Sequence, residues 1–489
     1  MVKTLILLVL MGIQAVSLAA PASVTAPPDP ARKRLAKEIL DALQLEKNRA
    51  LKAGIVIQSL NTGEVLFSHD PDERLIPASV NKILTAYTAL KILSPASTFK
   101  TEVYAVQPVI DGVLSGDLYI KGGGDPSLVS ERMWMLVNEL LRSGIKRING
   151  DIIGDATFFD KERTPESRPD YLKDQAYNAP IGALSFNFNT TTIYVQPSSR
   201  AGVPPTVYAD PENDYIDIVN QAKTTNKGSR YTMSVSRIKH VKGDLGDTVL
   251  LRGKIPMDHK EVRYYRNIAN PTLYACHMFQ QFLTRRGVKV VGNIKEGSVP
   301  RTARQLLSFE SLPMWHLIWG MNKFSNNFVA DQLMKKVGAE VFGPPGSLAK
   351  GLQAMERELA KIGLPAGTYK IADGSGLTRQ SHISAQQLMS VLVAASKDFS
   401  LAPEFIASLG IAGQDGTIRR RFLNSNAENI LRAKTGSLDG VASLAGYTPS
   451  ADGEMLAFVV LLNDPKGKYG RMTSWVDQVA LAARRFSRK

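Results

Sequence analysis

A serine and a lysine three positions apart, Ser79 and Lys82, stand at the start of a segment that is otherwise apolar. From Ile83 to Leu93 the apolar residues recur at helical spacing on more than one face, which predicts a helix buried in a core. A lysine buried without a partner tends to lose its proton, and the neutral amine is a base. Because Ser79 lies one helical turn earlier on the same side, the amine can reach its hydroxyl. The two residues are therefore a candidate nucleophile and base.

The pattern Ser-x-x-Lys is weak evidence by itself, because it recurs at Ser97/Lys100, Ser143/Lys146, Ser236/Lys239 and Ser347/Lys350. A serine that caps a helix, followed by a lysine that extends its amine to solvent, would give the same pattern. The apolar run directly after Lys82 distinguishes this occurrence from the others. An enzyme of this kind also needs groups that relay protons and a cation that holds an anionic substrate.

One downstream motif, Lys434-Thr435-Gly436, could hold such a substrate. It occurs once in the chain, just ahead of the strand-like stretch 441–447. Its glycine would let a substrate backbone approach closely. An ordinary turn is the structural alternative.

A second downstream motif is Ser-x-Asn, which occurs at Ser59, Ser185 and Ser325. Only the third, with Asn327, directly precedes an apolar helical run, 328–337, where a polar loop would lie beside a cavity. A helix cap is the structural alternative. The joint occurrence of all three motifs in this order is far more specific than any one of them.

The elements that would position these motifs lie at both ends of the chain. Alternating apolar residues around short polar turns predict two hairpins, over 54–68 and 441–462. Helical patterns flank them, over 31–45 and 473–486. These segments are expected to form one antiparallel sheet with helices against it.

The middle of the chain has a different pattern. Residues 140–152 are similar to residues 282–294, each a helix end, a capping glycine and a short strand. They predict two related units of one domain. Between them, residues 185–262 are strand-like and rich in turns, which predicts a further small β domain.

The three motifs in this order resemble those of the penicillin-binding proteins and serine β-lactamases. The likeness is greatest to the class C low-molecular-mass D-alanyl-D-alanine carboxypeptidases/endopeptidases, which are similar also in the stretches 177–185, 372–379 and 413–419. It covers nearly all of the chain after the N-terminal segment. The resemblance implies an α/β (α+β) transpeptidase fold, with an antiparallel sheet flanked by helices and two inserted domains.

The resemblance also implies domain boundaries. The catalytic domain would comprise residues 25–97 and 303–489. An inserted second domain would comprise residues 98–186 and 262–302, with a small third domain, residues 187–261, inside it. The wide gap between the first and second motifs fits such an insertion.

Site roles follow from the same resemblance. Lys82, kept neutral by burial and by the positive charge of Lys434, would take the proton of Ser79, which attacks the carbonyl between two D-alanines. Water would then release the acyl-enzyme. Ser325 would pass a proton to the departing D-alanine, and Asn327 would bind a substrate amide. Lys434 and Thr435, next to Gly436, would bind the terminal carboxylate. The backbone N–H groups of Ser79 and Ser437 would form the oxyanion hole.

Arg379 is a further candidate substrate-binding residue, because it could reach a free carboxylate on the substrate's side chain. A surface arginine beside a glycine-rich loop is its structural alternative. No metal or other cofactor is expected. The chain has neither His-Glu-x-x-His nor Gly-x-Ser-x-Gly, which disfavours zinc hydrolases and α/β-hydrolases.

Two rival functions stay open. A β-lactamase would share the nucleophile, although the Glu-x-x-Asn pattern that some of those enzymes use is absent from residues 325–434. A non-catalytic wall-binding protein would keep the fold, but it would be expected to have lost Ser79 or Lys82. The expected partners are peptidoglycan and β-lactam inhibitors.

The N-terminus has the layout of a secretory signal peptide, residues 1–19, so a periplasmic location is expected. The lone cysteine, Cys276, cannot form an intramolecular disulfide and is expected to be buried and structural. The net charge of +15 predicts contact with an anionic wall polymer or membrane surface. Nucleic acid does not fit this compartment, and the sequence leaves the oligomeric state open.

Overall fold

The structure is a computed structural model that describes residues 29–45, 48, 50–169, 172–238 and 246–489. The predicted signal peptide, residues 1–19, lies outside these ranges and stays a prediction. Among the helices of the described ranges, none is both long enough and apolar enough to cross a membrane.

The first segment of the chain carries the serine and lysine of the first motif. Its elements are α1 (Pro30–Leu43), β1 (Lys52–Ser59), β2 (Val65–His69) and α2 (Lys82–Leu93). Strands β1 and β2 pair antiparallel, which confirms the first predicted hairpin. Nearly every side chain of α2 is buried, including Lys82, so the prediction of a buried helix after Ser79 is also confirmed.

The intervening segment, residues 100–296, is rich in short strands. Its elements are β3 (Lys100–Ala105), β4 (Val109–Ile110), β5 (Val113–Leu114), β6 (Leu118–Gly122), α3 (Ser130–Leu141), β7 (Arg147–Ile148), β8 (Ile152–Asp155), β9 (Thr190–Gln196), β10 (Thr206–Asp210), β11 (Ile216–Asn220), β12 (Lys223–Thr225), β13 (Ser234–Ile238), β14 (Asp247–Arg252), β15 (Lys254–Pro256), β16 (Val262–Asn267), α4 (Pro271–Arg285), β17 (Lys289–Val290) and β18 (Ile294–Glu296).

The last segment supplies the second and third motifs. Its elements are β19 (Arg304–Glu310), α5 (Met314–Lys323), α6 (Asn327–Phe342), α7 (Leu348–Ala360), α8 (Ala385–Lys397), α9 (Ala402–Ser408), β20 (Gly410–Ile411), β21 (Arg432–Leu438), β22 (Val441–Pro449), β23 (Met455–Asn463) and α10 (Tyr469–Arg485).

The largest sheet joins the two ends of the chain. Its strand order is β2-β1-β23-β22-β21-β20, and every neighbouring pair is antiparallel. Successive side chains of a strand face opposite sides of a sheet, so Ile55 and Ile57 pack with α1 and α10, whereas Val56 packs with α2 and α8. The result is a sheet between two helical layers, as the hairpin patterns predict.

Two sheets of the intervening segment combine its similar units. Strands β7 and β17 pair in parallel in one sheet, and β8 and β18 pair in parallel in the other. The strands of residues 140–152 and 282–294 therefore lie side by side, and that the two units belong to one domain stays a prediction. Cys276 is buried in α4 within the same core, as predicted. Strands β9 to β16 form three further small sheets.

Two predicted domain boundaries differ from the membership of these sheets. Strand β19 follows the boundary at residue 303, but it pairs with β3 of the intervening segment. Strand β16 follows the boundary at residue 262, but it pairs with β9 of the small β part. Strand pairing between distant segments leaves no mark in the local sequence, so the predicted boundaries could not take these two pairings into account. The division into three domains stays a proposal.

Candidate active site

Ser79 lies on a short 3-10 helix, Ala78–Asn81, that leads directly into α2. Ala78 has a φ of 48°, in the left-handed region that residues other than glycine rarely adopt. Two glycines let other segments approach this turn. A Cβ on Gly376 would lie 2.0 Å from the Ala78 carbonyl oxygen, and one on Gly436 would lie 2.5 Å from the Pro77 carbonyl oxygen.

Gly436 is thus required by the protein's own packing. The sequence predicted that this glycine lets a substrate backbone approach, whereas in the structure the backbone that approaches it is that of Pro77. Its role in substrate binding stays a prediction. The observed contact holds strand β21, which carries the third motif, against the turn that carries the nucleophile.

Lys82 is fully buried, and its Nζ atom has three oxygen neighbours. These are Ser79 Oγ at 3.0 Å, Asn327 Oδ1 at 2.6 Å and the Ser375 carbonyl oxygen at 2.7 Å. The amide of Asn327 donates from Nδ2 to the Tyr177 carbonyl at 2.9 Å, which fixes Oδ1 toward Lys82. Burial lowers the pKa of Lys82 to about 7.

This geometry directs the Lys82 lone pair. A neutral amine has two N–H groups, and the carbonyl oxygens of Asn327 and Ser375 can only accept hydrogen bonds. When both N–H groups are donated to these oxygens, the lone pair of Nζ faces the Ser79 hydroxyl, which then donates to it. The arrangement can therefore remove the proton of Ser79 without further movement of either side chain.

Lys434 and Ser325 form the second polar pair. Lys434 is fully buried on β21, and its Nζ atom donates to Ser325 Oγ at 2.9 Å and to the Thr435 carbonyl at 2.8 Å. Burial, followed by repulsion from Lys82, lowers the pKa of Lys434 well below its usual value. Ser325 has a φ of 55°, so its backbone is also in the left-handed region.

That Lys434 helps to keep Lys82 neutral stays a prediction. Burial is the main cause of the lowered pKa, as expected, but the cation that adds to it is Arg168. Repulsion between two ammonium groups is mutual, and in the free enzyme Lys434 is itself driven toward its neutral form. An anion bound beside Lys434 would favour its charged form.

A buried ion network that sequence reasoning missed lies beneath Lys82. Arg168 hydrogen-bonds to Asp331, lies 3.7 Å from Asp373 and donates to Ser375 Oγ at 3.1 Å. All three charged side chains are at most 1% exposed. Burial raises the pKa of Asp331 to about 6. The two carboxylates favour a charged Lys82, and Arg168 opposes them.

One member of this network left a signal in the sequence. Asp331 follows Asn327 by one helical turn, so both lie on the same face of α6. Asp373 falls within the stretch 372–379 that resembles the family, but its partner could not be inferred from that. Arg168 lies in the intervening segment, far from every motif, and nothing local to it indicated a role.

Two adjoining cavities meet at Ser79, Ser325, Ser437 and Tyr469. One, of about 500 Å³, is also lined by Lys323, Thr417, Thr435 and Arg419 to Arg421. The other, of about 690 Å³, is also lined by Asn327, Tyr177 and Arg379. A larger cavity, of about 980 Å³, is lined by other residues of the chain, among them Phe159 and Glu296.

The structure brings together all nine predicted site residues. Lys82 contacts Ser79 and Asn327, and Lys434 contacts Ser325. Thr435 is buried with its hydroxyl 2.7 Å from that of Thr417, whereas Ser437 is exposed at the junction of the cavities. Arg379 is exposed, and its guanidinium donates to the Asp439 carbonyl just after β21.

The chain matches a family of known enzymes. The model of the D-Ala-D-Ala carboxypeptidase 3 (S13) family matches residues 31–480. The D-alanyl-D-alanine carboxypeptidase of an Actinomadura species is 33% identical over 435 residues, which are 85% of this chain and 78% of that protein. The carboxypeptidase DacB of Haemophilus influenzae is 26% identical over 412 residues, 84% of this chain and 85% of that protein.

The fold also matches a solved structure. The crystal structure of penicillin-binding protein 4 (DacB) from Haemophilus influenzae superposes with a TM-score of 0.80 at 24% identity, over 91% of this chain and 99% of that one. A second structure of that protein contains a bound β-lactam and superposes with a TM-score of 0.74. This likeness confirms the expected fold.

Proposed function

Because this chain belongs to the D-Ala-D-Ala carboxypeptidase 3 (S13) family, we propose that it hydrolyses the D-alanyl-D-alanine bond of peptidoglycan stem peptides, and the related bond of their cross-links, through an acyl-enzyme on Ser79. The observation that carries this proposal is the environment of Lys82. Its Nζ atom lies 3.0 Å from Ser79 Oγ and has two carbonyl oxygens as its other neighbours.

Acylation begins with transfer of the Ser79 hydroxyl proton to Lys82. The serine oxygen attacks the carbonyl carbon, and the backbone N–H groups of Ser79 and Ser437 stabilise the negative charge that develops on the carbonyl oxygen. The departing amine takes a proton from the Ser325 hydroxyl, which Lys434 replaces through their 2.9 Å hydrogen bond. Water then attacks the ester on Ser79 and gives one proton through Ser325 to Lys434, while Lys82 returns its proton to the Ser79 oxygen. This restores the free serine and releases the shortened peptide.

Substrate binding would change the protonation of the two lysines, Lys434 and Lys82. The C-terminal carboxylate of the substrate binds Lys434 and Thr435, which favours the charged form of Lys434. That charge in turn favours the neutral form of Lys82, because the two amines repel each other when both are protonated. The substrate thereby promotes the protonation states that acylation needs. Asn327, on the other side of Ser79, binds an amide of the acyl part.

β-Lactams are expected to inhibit this enzyme, because their ring amide imitates the peptide bond beside a carboxylate. The ring-opened drug would stay attached to Ser79. Peptidoglycan lies outside the cytoplasm, so the predicted signal peptide and periplasmic location agree with this function. Contact with an anionic wall polymer or a membrane surface remains part of the proposal, supported by the net charge of +15.

The proposal is tested by incubating the purified full-length protein with a disaccharide pentapeptide and with a cross-linked dimer. Mass analysis should show loss of one D-alanine from the first and separation of the second into monomers. The Ser79→Ala variant should form neither product and should not be labelled by a fluorescent penicillin. Full activity of that variant, or a penicillin adduct mapped to another residue, would overturn the assignment.

A further inference from the structure

The two cavities beside Ser79 would receive opposite ends of the substrate. Asn327 lines the larger one and is proposed to bind an amide of the acyl part. Thr435 lines the smaller one and is proposed to bind the carboxylate of the departing residue. The smaller cavity is therefore on the leaving-group side. Its volume of about 500 Å³ extends beyond what one alanine residue would fill.

The leaving-group cavity is cationic throughout. Four basic residues line it, Lys323 and Arg419 to Arg421, and no aspartate or glutamate is among the described residues that line it. Lys323 forms an ion pair with Asp415 at 2.7 Å, and Arg421 hydrogen-bonds to Asp477 at 3.0 Å. These two cations are thus already compensated.

Arg419 and Arg420 are different. Both are exposed, and within the part of the chain that the structure describes neither hydrogen-bonds to another side chain nor pairs with a carboxylate. They follow a short 3-10 helix, Gly416–Ile418, whose Thr417 hydroxyl contacts Thr435. Two uncompensated guanidinium groups therefore line the same cavity as the proposed carboxylate-binding residue.

We propose that Arg419 and Arg420 form a subsite for an anionic leaving peptide, and that they favour the cleavage of cross-links over the removal of a single D-alanine. This inference rests on the proposed function and goes beyond it. A departing D-alanine has one carboxylate, which Lys434 and Thr435 already bind. In a cross-linked dimer the departing amine belongs to a second stem peptide, whose further carboxylates extend into the cavity and meet the two arginines.

The test compares two substrates in one double variant, Arg419→Gln/Arg420→Gln. We expect kcat/KM for the cross-linked dimer to fall by about tenfold or more, with that for the monomeric pentapeptide nearly unchanged. A dimer in which only the further carboxylates of the leaving stem are amidated, and the one next to the departing amine is free, should react slowly with the wild type and should be insensitive to the double variant. The wild-type preference for the dimer should also weaken as salt is added.

A matched control removes two other exposed arginines that lack a carboxylate partner among the described residues, in Arg142→Gln/Arg301→Gln. This control should leave both substrates unaffected, since it makes the same change in net charge away from the cavity. An equal loss on both substrates in the Arg419/Arg420 variant, or no loss on either, would overturn the subsite. A wild type that cleaves neither substrate and is not labelled by penicillin would instead overturn the proposed function, and the subsite with it.

Discussion

The guanidinium group of Arg168 hydrogen-bonds to the buried carboxylate of Asp331, although the two residues are 163 positions apart. Arg168 comes from the intervening segment and Asp331 from α6, directly after the second motif. Removing one partner of a buried ion pair leaves the other charge uncompensated. The intervening segment therefore contributes one of the charges that act on the pKa of Lys82.

We predict that Arg168→Met raises the pKa of Lys82. Asp331 and Asp373 favour its charged form, and the substitution removes the cation that opposes them. Less neutral amine is then present at pH 7, so penicillin acylation should slow by roughly tenfold there and recover at higher pH. The rate is measured from pH 6 to pH 10. Arg168→Lys, which keeps the charge, should shift the profile less. A Met variant that is folded by circular dichroism but has an unshifted profile would exclude this role.

Acylation by the wild type should rise with pH through about 7, the pKa of Lys82. Below that pH the amine is mostly protonated and cannot accept the Ser79 proton, and above it the amine is mostly neutral. Lys82→Arg should be nearly inactive at every pH, because arginine keeps its proton in proteins. Stopped-flow acylation by a chromogenic β-lactam measures both. Substantial activity in Lys82→Arg would mean that the lysine acts only as a fixed charge.

Lys434 is predicted to bind the substrate's terminal carboxylate, an interaction worth roughly two orders of magnitude in rate. A peptide whose C-terminus is amidated should therefore react poorly with the wild type. In Lys434→Ala the amidation should cost much less, because the partner has already been lost. The four kcat/KM values form a double-mutant cycle. Fully additive losses would place the carboxylate elsewhere, with Arg379 the next candidate.

Gly436→Ala should displace the nucleophile without replacing any polar side chain of the site. The added Cβ would lie 2.5 Å from the Pro77 carbonyl oxygen, so strand β21 or the Ser79 turn has to move. Misplacement of this kind should slow acylation on the order of a hundredfold. Gly320→Ala is the control, since a Cβ there meets nothing within 4 Å and helix α5 should tolerate it. Equal acylation rates in the two variants would show that acylation does not depend on the close contact at Gly436.

The three motifs could be recognised in the sequence, whereas the pairing of distant strands could not. The type and spacing of the motif residues indicate their chemistry. The apolar residues on more than one face of α2 indicate that this helix is buried. The pairing of β19 with β3 and of β16 with β9 depends on strands that are far apart in the chain, so no local pattern could reveal it. Arg168 was missed for the same reason, because its partners are contributed by other segments of the fold.

The pairing of β1 with β23 means that the sheet beside the catalytic motifs is complete only when both strands are present. Strand β1 is made near the start of the chain and β23 near its end, and Ser79 and Lys82 leave the ribosome long before Lys434. The catalytic site is therefore incomplete until the last hairpin joins the sheet. Long-range pairing of this kind folds slowly and leaves a strand edge exposed to aggregation in the meantime. We expect a chain that stops before β22 to contain Ser79 and Lys82 but to lack hydrolytic activity, because β21 would have lost the strand that it pairs with in the sheet.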